Sequence, residues 1–167
     1  MKIIKYEIKH CNAGWRDFSF LKIITDEGIS GISEYNECYG SPGLSIIIRR
    51  FMDKILDHDP ICHEKIHQFL YASSRQAPGG IAQQAIAAIE NALLDIKGKY
   101  LNVPVHTLLG GAIRDKLPLY WSHCGTYRIS EELSKIMEKP QVKTIEDLKQ
   151  LGKDVKDAGY KGLKTNI

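Results

Sequence analysis

The chain has 167 residues, of which 43% are hydrophobic and 26% are charged, and its formal net charge is +3. Domains run to ~100–200 residues, so this length allows one domain and a smaller second unit. It excludes a complete eight-stranded β/α barrel, which needs roughly 250 residues. Lysines and arginines are mixed with acidic residues and form no basic run with interleaved aromatic residues. We therefore expect no nucleic-acid partner.

The four cysteines, Cys11, Cys38, Cys62 and Cys124, form no C-x-x-C pair. Cysteine-ligated zinc and thioredoxin-like chemistry are therefore not expected. A chain of this size builds a core without disulfides, so we expect reduced thiols and a cytoplasmic location. The N-terminus lacks the apolar stretch of a signal peptide. The longest apolar run, Ile46 to Ile48, is too short to cross a bilayer, so no membrane partner is expected.

The first 37 residues predict a three-stranded antiparallel meander. Residues 2–9, 18–25 and 29–37 are rich in isoleucine, phenylalanine and tyrosine, as strands are. Asp26 to Gly28 is a hairpin turn signal between the second and third strands. Residues 10–17, which include a glycine, break the strand pattern and predict a loop.

Helices are predicted next. Ser41-Pro42 has the pattern of a helix start, and the apolar residues that follow recur at helical spacing. Asp59-Pro60 repeats the start signal, and a long alanine-rich helix is predicted from about residue 81 to residue 100. Together with the meander, these helices predict an α+β domain over residues 1–112.

The last third has a different pattern. Residues 117–121 and 160–167 are predicted strands, and helices are predicted at about 131–138 and at 144–158. Thr144 and Asp147 have the spacing of a capping box at the start of the second of these helices. Strand, helix, strand is the βα order of a parallel sheet. Two parallel strands alone leave edges and apolar faces uncovered, so residues 113–167 are predicted to be an incomplete domain.

Three segments resemble the N-terminal capping domain of the enolase superfamily. Thr25 to Glu34 is similar to the family's "T-D-x-G-xx-G-x-x-E" hairpin, Ala85 to Lys99 to its "A-I-x-x-I-E-x-A-L-x-D-I-x-G-K" helix, and Pro104 to Gly111 to its "P-V-x-x-L-L-G-G" exit. The order and spacing also match, and the similarity is greatest to the mandelate racemase-like, acid-sugar dehydratase branch. The implied fold is α+β: an enolase-like N-terminal capping domain, then the first βα segments of a truncated TIM barrel.

The resemblance implies a Mg²⁺-dependent lyase that acts on a sugar-acid carboxylate. Family members abstract the proton α to the carboxylate, stabilise the enediolate on Mg²⁺ and form homo-oligomers. Their metal ligands lie on the third, fourth and fifth barrel strands, whereas this chain is predicted to end on the second. We therefore expect no metal ligand in this chain and no activity from the 167 residues alone.

Lys164 and Asn166 match the "K-x-K" motif of the second barrel strand in the family. The resemblance places Lys164 near the substrate carboxylate, and it places Asn166 where many members have a base lysine. An amide cannot abstract a proton at neutral pH. Proton abstraction in a full-length relative would then fall to another group, such as a late histidine, which favours a dehydratase over a two-base racemase.

The substrate-binding candidates lie on loops. Trp15 and Arg16 match the mobile loop of the capping domain, where an arginine can clamp a carboxylate bidentately. Asn36 and Tyr39 lie on the second such loop, and His123 follows the first barrel strand, whose carboxyl end faces the active site in this fold. Each of these five residues also has a purely structural interpretation.

Two alternatives to the dehydratase remain open at this point. One is a racemase or cycloisomerase of the same superfamily. The other is a non-catalytic binding or assembly module that pairs through its incomplete barrel segment. Glu90 and Asp95 on the long helix are predicted to make structural contacts and not to form a catalytic pair of carboxylates.

Overall fold

The computed structural model describes residues 1–14, 16–75 and 79–166. Two compact units make up the chain, unit 1 from Met1 to Ala112 and unit 2 from Ile113 to Ile167. Among the described residues, no helix has the length and apolar character needed to cross a membrane.

Unit 1 opens with the predicted meander, in the order β1-β2-β3: β1 is Ile3–Asn12, β2 is Asp17–Thr25 and β3 is Ser30–Tyr35. Both pairs of neighbouring strands are antiparallel, with Asn12 opposite Asp17 in the first pair and Ser19 opposite Tyr35 in the second. Alternate residues of β2 point into the core, which is the period-2 pattern of a sheet with one covered face.

The predicted loop at residues 10–17 is too long. Pairing of β1 with β2 continues to Asn12 and Asp17, whose side chains hydrogen-bond at 2.7 Å. Ala13 donates its backbone N–H to the Arg16 carbonyl at 2.9 Å, and Gly14 has a φ of 82°. The two strands therefore extend into the predicted loop, to Asn12 and Asp17, because the polar pair continues them beyond their apolar part.

Four helices follow in unit 1: α1 is Leu44–Ile55, α2 is His63–Ala72, α3 is Gly80–Leu101 and α4 is Val105–Leu108. Ser41 does not cap α1, contrary to its predicted role. Gly43, with a φ of 86°, precedes the helix, and the Ser41 hydroxyl donates to Oε1 of Gln84 on α3 at 2.6 Å. The core is formed by the inner face of the sheet and by apolar residues of α1, α2 and α3.

β3 approaches α3 closely at Gly31. A Cβ added to Gly31 would meet the Ala92 carbonyl oxygen and would lie 2.8 Å from Cγ1 of Ile96. Beside it, the Ile32 amide donates to Oδ2 of Asp95 at 2.9 Å. We call these contacts around Gly31 and Asp95 the β3–α3 clasp. The clasp joins the hairpin motif, which contains Gly31, to the helix motif, which contains Asp95.

Lys99 completes the clasp. Its Nζ lies 2.7 Å from Asp95 Oδ2, one helical turn away, and 2.7 Å from the Ser30 carbonyl oxygen at the start of β3. Asp95 therefore accepts hydrogen bonds from both β3 and its own helix. This structural role agrees with the one predicted for Asp95.

Unit 2 contains β4, Tyr120–Ser122, and β5, Gly162–Lys164, which pair in parallel. Between them lie a 3-10 turn at Thr126–Arg128 and the helices α5, Glu131–Ile136, and α6, Ile145–Asp157. The strands are shorter than predicted, since only three residues of each pair. Parallel sheets in proteins are normally covered on both faces. The core beside this pair of strands is small.

The predicted capping box of α6 is confirmed. The Thr144 side chain accepts from the Asp147 N–H, and the Asp147 carboxylate accepts from the Thr144 N–H. Hydrogen bonds from the backbone N–H groups of Lys143 and Thr144 lower the pKa of Asp147. The core of unit 2 lies under α6 and is formed by Cys124, Leu151 and Val155, against which Trp121 and Tyr160 also pack.

We predict that Gly31→Ala destabilises unit 1 by about 3 kcal/mol, because the new methyl group must force β3 away from α3. Urea unfolding of both proteins measures the difference. Gly40→Ala is the control, since nothing lies within 4 Å of a Cβ at Gly40, and its stability should stay within about 0.5 kcal/mol of the parent. Equal stability of Gly31→Ala and Gly40→Ala would contradict the clasp.

Candidate functional site

The predicted site residues fall into two groups, one in each unit. Arg16, Asn36 and Tyr39 lie at one end of the meander, where β1 ends, β2 begins and β3 ends. The second group, at the carboxyl ends of β4 and β5 in unit 2, contains His123 with Lys164 and Asn166. Trp15 lies outside the described residues.

Arg16 is held in place by residues of the sheet. Its Nη2 lies 3.2 Å from Oε1 of Glu34 on β3, and its guanidinium carbon lies 3.9 Å from the centroid of the Phe18 ring. The side chain is only 19% exposed. A substrate carboxylate that binds Arg16 would therefore share the guanidinium with Glu34.

Glu34 itself was not among the predicted site residues. The signal that could have identified it is its place as the last residue of the hairpin motif, at an exposed position of β3. Because β3 alternates buried and exposed residues, Glu34 points to the same outer face as its neighbour two positions earlier, Ile32.

The loop after β3 is fixed at its base and exposed at its tip. Glu37 accepts hydrogen bonds from the backbone N–H and the hydroxyl of Ser45, in the first turn of α1. The same hydroxyl lies 2.7 Å from the Tyr35 hydroxyl, and burial raises the pKa of Tyr35. Asn36 accepts from the Tyr39 N–H at 3.4 Å, while the Tyr39 side chain is 63% exposed.

Lys164 points to the face of the β4–β5 pair that is turned away from the core of unit 2. Ser122 is its partner in the parallel register, and Trp121, the preceding residue, packs on the core beneath α6. Successive residues of a strand point to opposite faces, so Ser122 and Lys164 share the exposed face. An ammonium group here can bind an anion without displacing any core residue.

His123 and Asn166 lie at the same end of the pair. His123 has a φ of 56°, which is uncommon for a residue with a Cβ, and its ring lies 5.5 Å from that of Tyr127. The Asn166 N–H donates to the Thr126 hydroxyl at 2.9 Å, in the turn that follows His123. The structure thus brings three of the predicted residues to one end of this small sheet.

Two buried polar atoms at this end have no hydrogen-bond partner among the described residues. They are Nδ1 of His123 and the hydroxyl oxygen of Thr165. Buried polar atoms are normally hydrogen-bonded. Within the described part of the chain these two atoms are not, so each has an unused capacity for a hydrogen bond. Thr165 was not predicted, although its position between Lys164 and Asn166 in the matched motif was the signal for it.

A sequence profile described as "Mandelate racemase / muconate lactonizing enzyme, N-terminal domain" matches residues 9–110. D-galactonate dehydratase from Pectobacterium atrosepticum is 38% identical over 142 residues, which are 85% of this chain and 36% of that enzyme. D-galactonate dehydratase from Variovorax paradoxus is 38% identical over 120 residues, 72% of this chain and 31% of that enzyme. The chain thus spans about a third of the length of these relatives.

Solved structures agree in fold. A Burkholderia xenovorans protein named as an L-alanine-DL-glutamate epimerase superposes with a TM-score of 0.91 at 39% identity, covering 100% of this chain and 42% of that one. The same protein has been solved with magnesium and fumarate bound. An Agrobacterium radiobacter protein named as a galactarate dehydratase, with sodium and L-malate bound, gives a TM-score of 0.67 at 30% identity over 76% of this chain and 32% of its own.

The described residues at the ends of β4 and β5 do not fit a magnesium ion. Magnesium binds oxygen ligands and normally takes at least one carboxylate. The residues here are Ser122, His123, Lys164, Thr165 and Asn166, a set with a lysine and no carboxylate. These five residues therefore do not form a magnesium site.

Cys124 is the residue that joins the ends of β4 and β5. Its N–H donates to the Lys164 carbonyl at 3.2 Å, and its buried Sγ lies 3.8 Å from the same oxygen. Burial raises the pKa of the Cys124 thiol. The thiolate is the reactive form, so Cys124 should react slowly with thiol reagents.

We predict that a disulfide reagent at pH 8 modifies Cys11, Cys38 and Cys62 rapidly, because these three cysteines are exposed. Cys124 should react at least about tenfold more slowly in the folded chain, and at the same rate as the others in urea. Mass spectrometry of timed, quenched samples identifies the modified residues. Rapid labelling of Cys124 in the folded chain would show that β4 and β5 are not joined as described.

Proposed function

Because the chain belongs to the mandelate racemase / muconate lactonizing enzyme family, we propose that it is the N-terminal part of an acid-sugar dehydratase. The observation that carries the proposal is the 38% identity to D-galactonate dehydratase over 85% of the chain. The substrate class is a sugar acid with a hydroxyl group on both its α-carbon and its β-carbon. The reaction removes the α-proton and the β-hydroxyl as water, and the enol product becomes a 2-keto-3-deoxy acid.

Lys164 is the residue of this chain that would bind the substrate carboxylate. Its ammonium group lies on the exposed face of the β4–β5 pair, two residues before Asn166. Negative charge grows on the carboxylate as the α-proton leaves, so a fixed cation beside it stabilises the transition state more than the substrate. His123 and Asn166 would contribute hydrogen bonds at the same strand ends.

Asn166 is the residue that argues for dehydration over racemisation. A racemase needs a base on each side of the α-carbon, and an amide nitrogen has no basic lone pair at neutral pH. If Asn166 holds the position of a base lysine, one of the two bases is lost. A single remaining base elsewhere in the protein is sufficient for dehydration.

The loop residues would select the sugar. Arg16 presents a guanidinium held by Glu34, and Tyr39 presents an exposed ring on a loop that Glu37 anchors to α1. Together with Trp15 and Asn36, they would bind the hydroxyl groups of the substrate and exclude water when it is bound. The chain alone, without metal ligands at β4 and β5, would turn over nothing.

The second candidate is a racemase or epimerase. It is favoured by the Burkholderia xenovorans structure named as an L-alanine-DL-glutamate epimerase, which superposes over the whole chain at 39% identity. Asn166 counts against it for the reason given above.

A non-catalytic assembly role would use the exposed apolar residues of unit 2, such as Leu117, Leu119 and Leu163. We propose that the same residues pack within a complete barrel and that the whole enzyme forms a homo-oligomer. Light scattering after size-exclusion chromatography of the isolated chain distinguishes the assembly role from packing within a barrel. A stable dimer favours the assembly role, and a monomer or a non-specific aggregate counts against it.

We predict that the chain supports D-galactonate dehydration when it replaces the aligned part of the Pectobacterium atrosepticum enzyme. In this chimera, Lys164→Met should lower kcat/KM about 100-fold, mostly through kcat, because it removes the cation at the growing charge. The control is Lys161→Met, an exposed lysine just before β5, which should leave kcat/KM unchanged. Formation of the 2-keto-3-deoxy acid is the readout.

Two outcomes would contradict the proposed function. One is a folded chimera that does not turn over D-galactonate or any other sugar acid. The other is measurable dehydration by the isolated 167-residue chain, which would show that residues in it suffice for the chemistry.

A further inference from the structure

A cluster of histidine and glutamate residues on α2 and α3 plays no part in the proposed function. His63, Glu64 and His67 lie on α2, and Glu90 lies on α3, which packs against it. One ligand atom from each of His63, Glu64 and Glu90 can be chosen such that all three lie within 4.8 Å of one another. We infer that these three residues form a binding site for a divalent transition-metal ion, with zinc as the best match.

Two of the three proposed ligands, His63 and Glu64, are neighbours on α2. Residues 63–67 read His-Glu-Lys-Ile-His, but the site differs from the H-E-x-x-H zinc motif, in which both histidines bind the metal, because His67 contacts Glu90 instead. Residues four apart lie on one face of a helix, so both histidine rings face α3. Zinc takes imidazole nitrogen and carboxylate oxygen together, usually four ligands in a tetrahedral arrangement. Three protein ligands and one water would complete this set.

His67 orients Glu90. Nδ1 of His67 lies 3.1 Å from Oε2 of Glu90, so the ring donates to the carboxylate. The two side chains are about a fifth to a quarter exposed, at 21% and 27%. Such a hydrogen bond from a neighbouring group fixes a metal-binding carboxylate and is itself worth about 10-fold to 100-fold in metal affinity.

Lys97 lies beside the cluster and would compete with a metal ion for His63. Its Nζ lies 3.4 Å from Nδ1 of His63. An ammonium group can only donate, so His63 accepts at Nδ1, and the lone pair there is available to a positive group. A metal ion on that nitrogen would take the place of the ammonium. Lys97 is long and flexible, so it can withdraw into solvent, and zinc and Lys97 therefore compete for His63.

The effect of such an ion would be to join α2 to α3. The cluster links two helices through side chains that are otherwise held by hydrogen bonds only. An ion that binds the folded chain and not the unfolded chain stabilises the folded chain by mass action. Zinc should therefore raise the melting temperature of the parent chain in proportion to the logarithm of its concentration.

Calorimetric titration of the 167-residue chain with zinc chloride tests the inference. Because exposed thiols also bind zinc, the parent and all variants carry serine at Cys11, Cys38 and Cys62. The parent should bind one equivalent. His63→Ala and Glu90→Gln should each weaken binding at least about 10-fold, and Glu64→Gln, which changes a side chain that is 76% exposed, should weaken it without affecting the fold.

Lys97→Met gives the sharpest outcome. It removes the competing ammonium, so zinc should bind up to roughly tenfold more tightly than in the parent, and misfolding cannot produce such a gain. The matched control is His106→Ala, an exposed histidine on α4, which should bind as the parent does. Zinc binding in the parent no tighter than in a combined His63→Ala, Glu90→Gln variant, or an affinity lowered by Lys97→Met, would overturn the inference.

Discussion

The close approach of β3 to α3 at Gly31 is the contact on which unit 1 depends. Gly31 has no side chain, so β3 lies against the Ala92 carbonyl and the Ile96 side chain of α3, and the Ile32 amide donates to the Asp95 carboxylate. Once β3 lies against α3 at this distance, the loop after β3 begins at a fixed point. The start of β2, beside Arg16, is then fixed as well, through the register of Ser19 with Tyr35. The clasp thus positions both loops that carry candidate binding residues.

Unit 2 has a much smaller core than unit 1. Its core is small, its strands pair over three residues each, and several of its leucines are exposed. It is held together by the capping box of α6 and by the hydrogen bonds of Cys124 to Lys164, which is 40 residues away in the chain. Such a unit can present Lys164 and Asn166 at the right strand ends, but the apolar residues on its surface require neighbours. Under the proposed function, further barrel strands would be these neighbours.

Features that depend on short spacing could be predicted from the sequence. The meander, the helices and the Thr144–Asp147 capping box are set by residues that are close together in the chain. The end of β1 was missed because it depends on the contact of Asn12 with Asp17, which apolar periodicity does not report. Ser41 was assigned to a helix cap for a different reason: its partner, Gln84, is 43 residues away in the chain.

The candidate site residues also differ in whether the sequence could predict them. Lys164 and Asn166 were predicted because they stand two residues apart in one motif, and the structure places them at the same end of the small sheet as His123. Glu34 was not found, since its contact with Arg16 spans 18 residues. The cluster on α2 was also missed: that helix was interpreted through its apolar residues alone, and Glu90, which completes the cluster, comes from another helix.

The central claim is that this chain supplies substrate contacts while the magnesium chemistry belongs to other residues. A crystal structure of the chimera with magnesium and a sugar acid, in a variant that does not turn over, tests it most directly. We expect Lys164 Nζ within hydrogen-bonding distance of the substrate carboxylate and no magnesium ligand from residues 1–167. A magnesium ligand at the ends of β4 or β5, or a substrate carboxylate out of reach of Lys164, would contradict the claim.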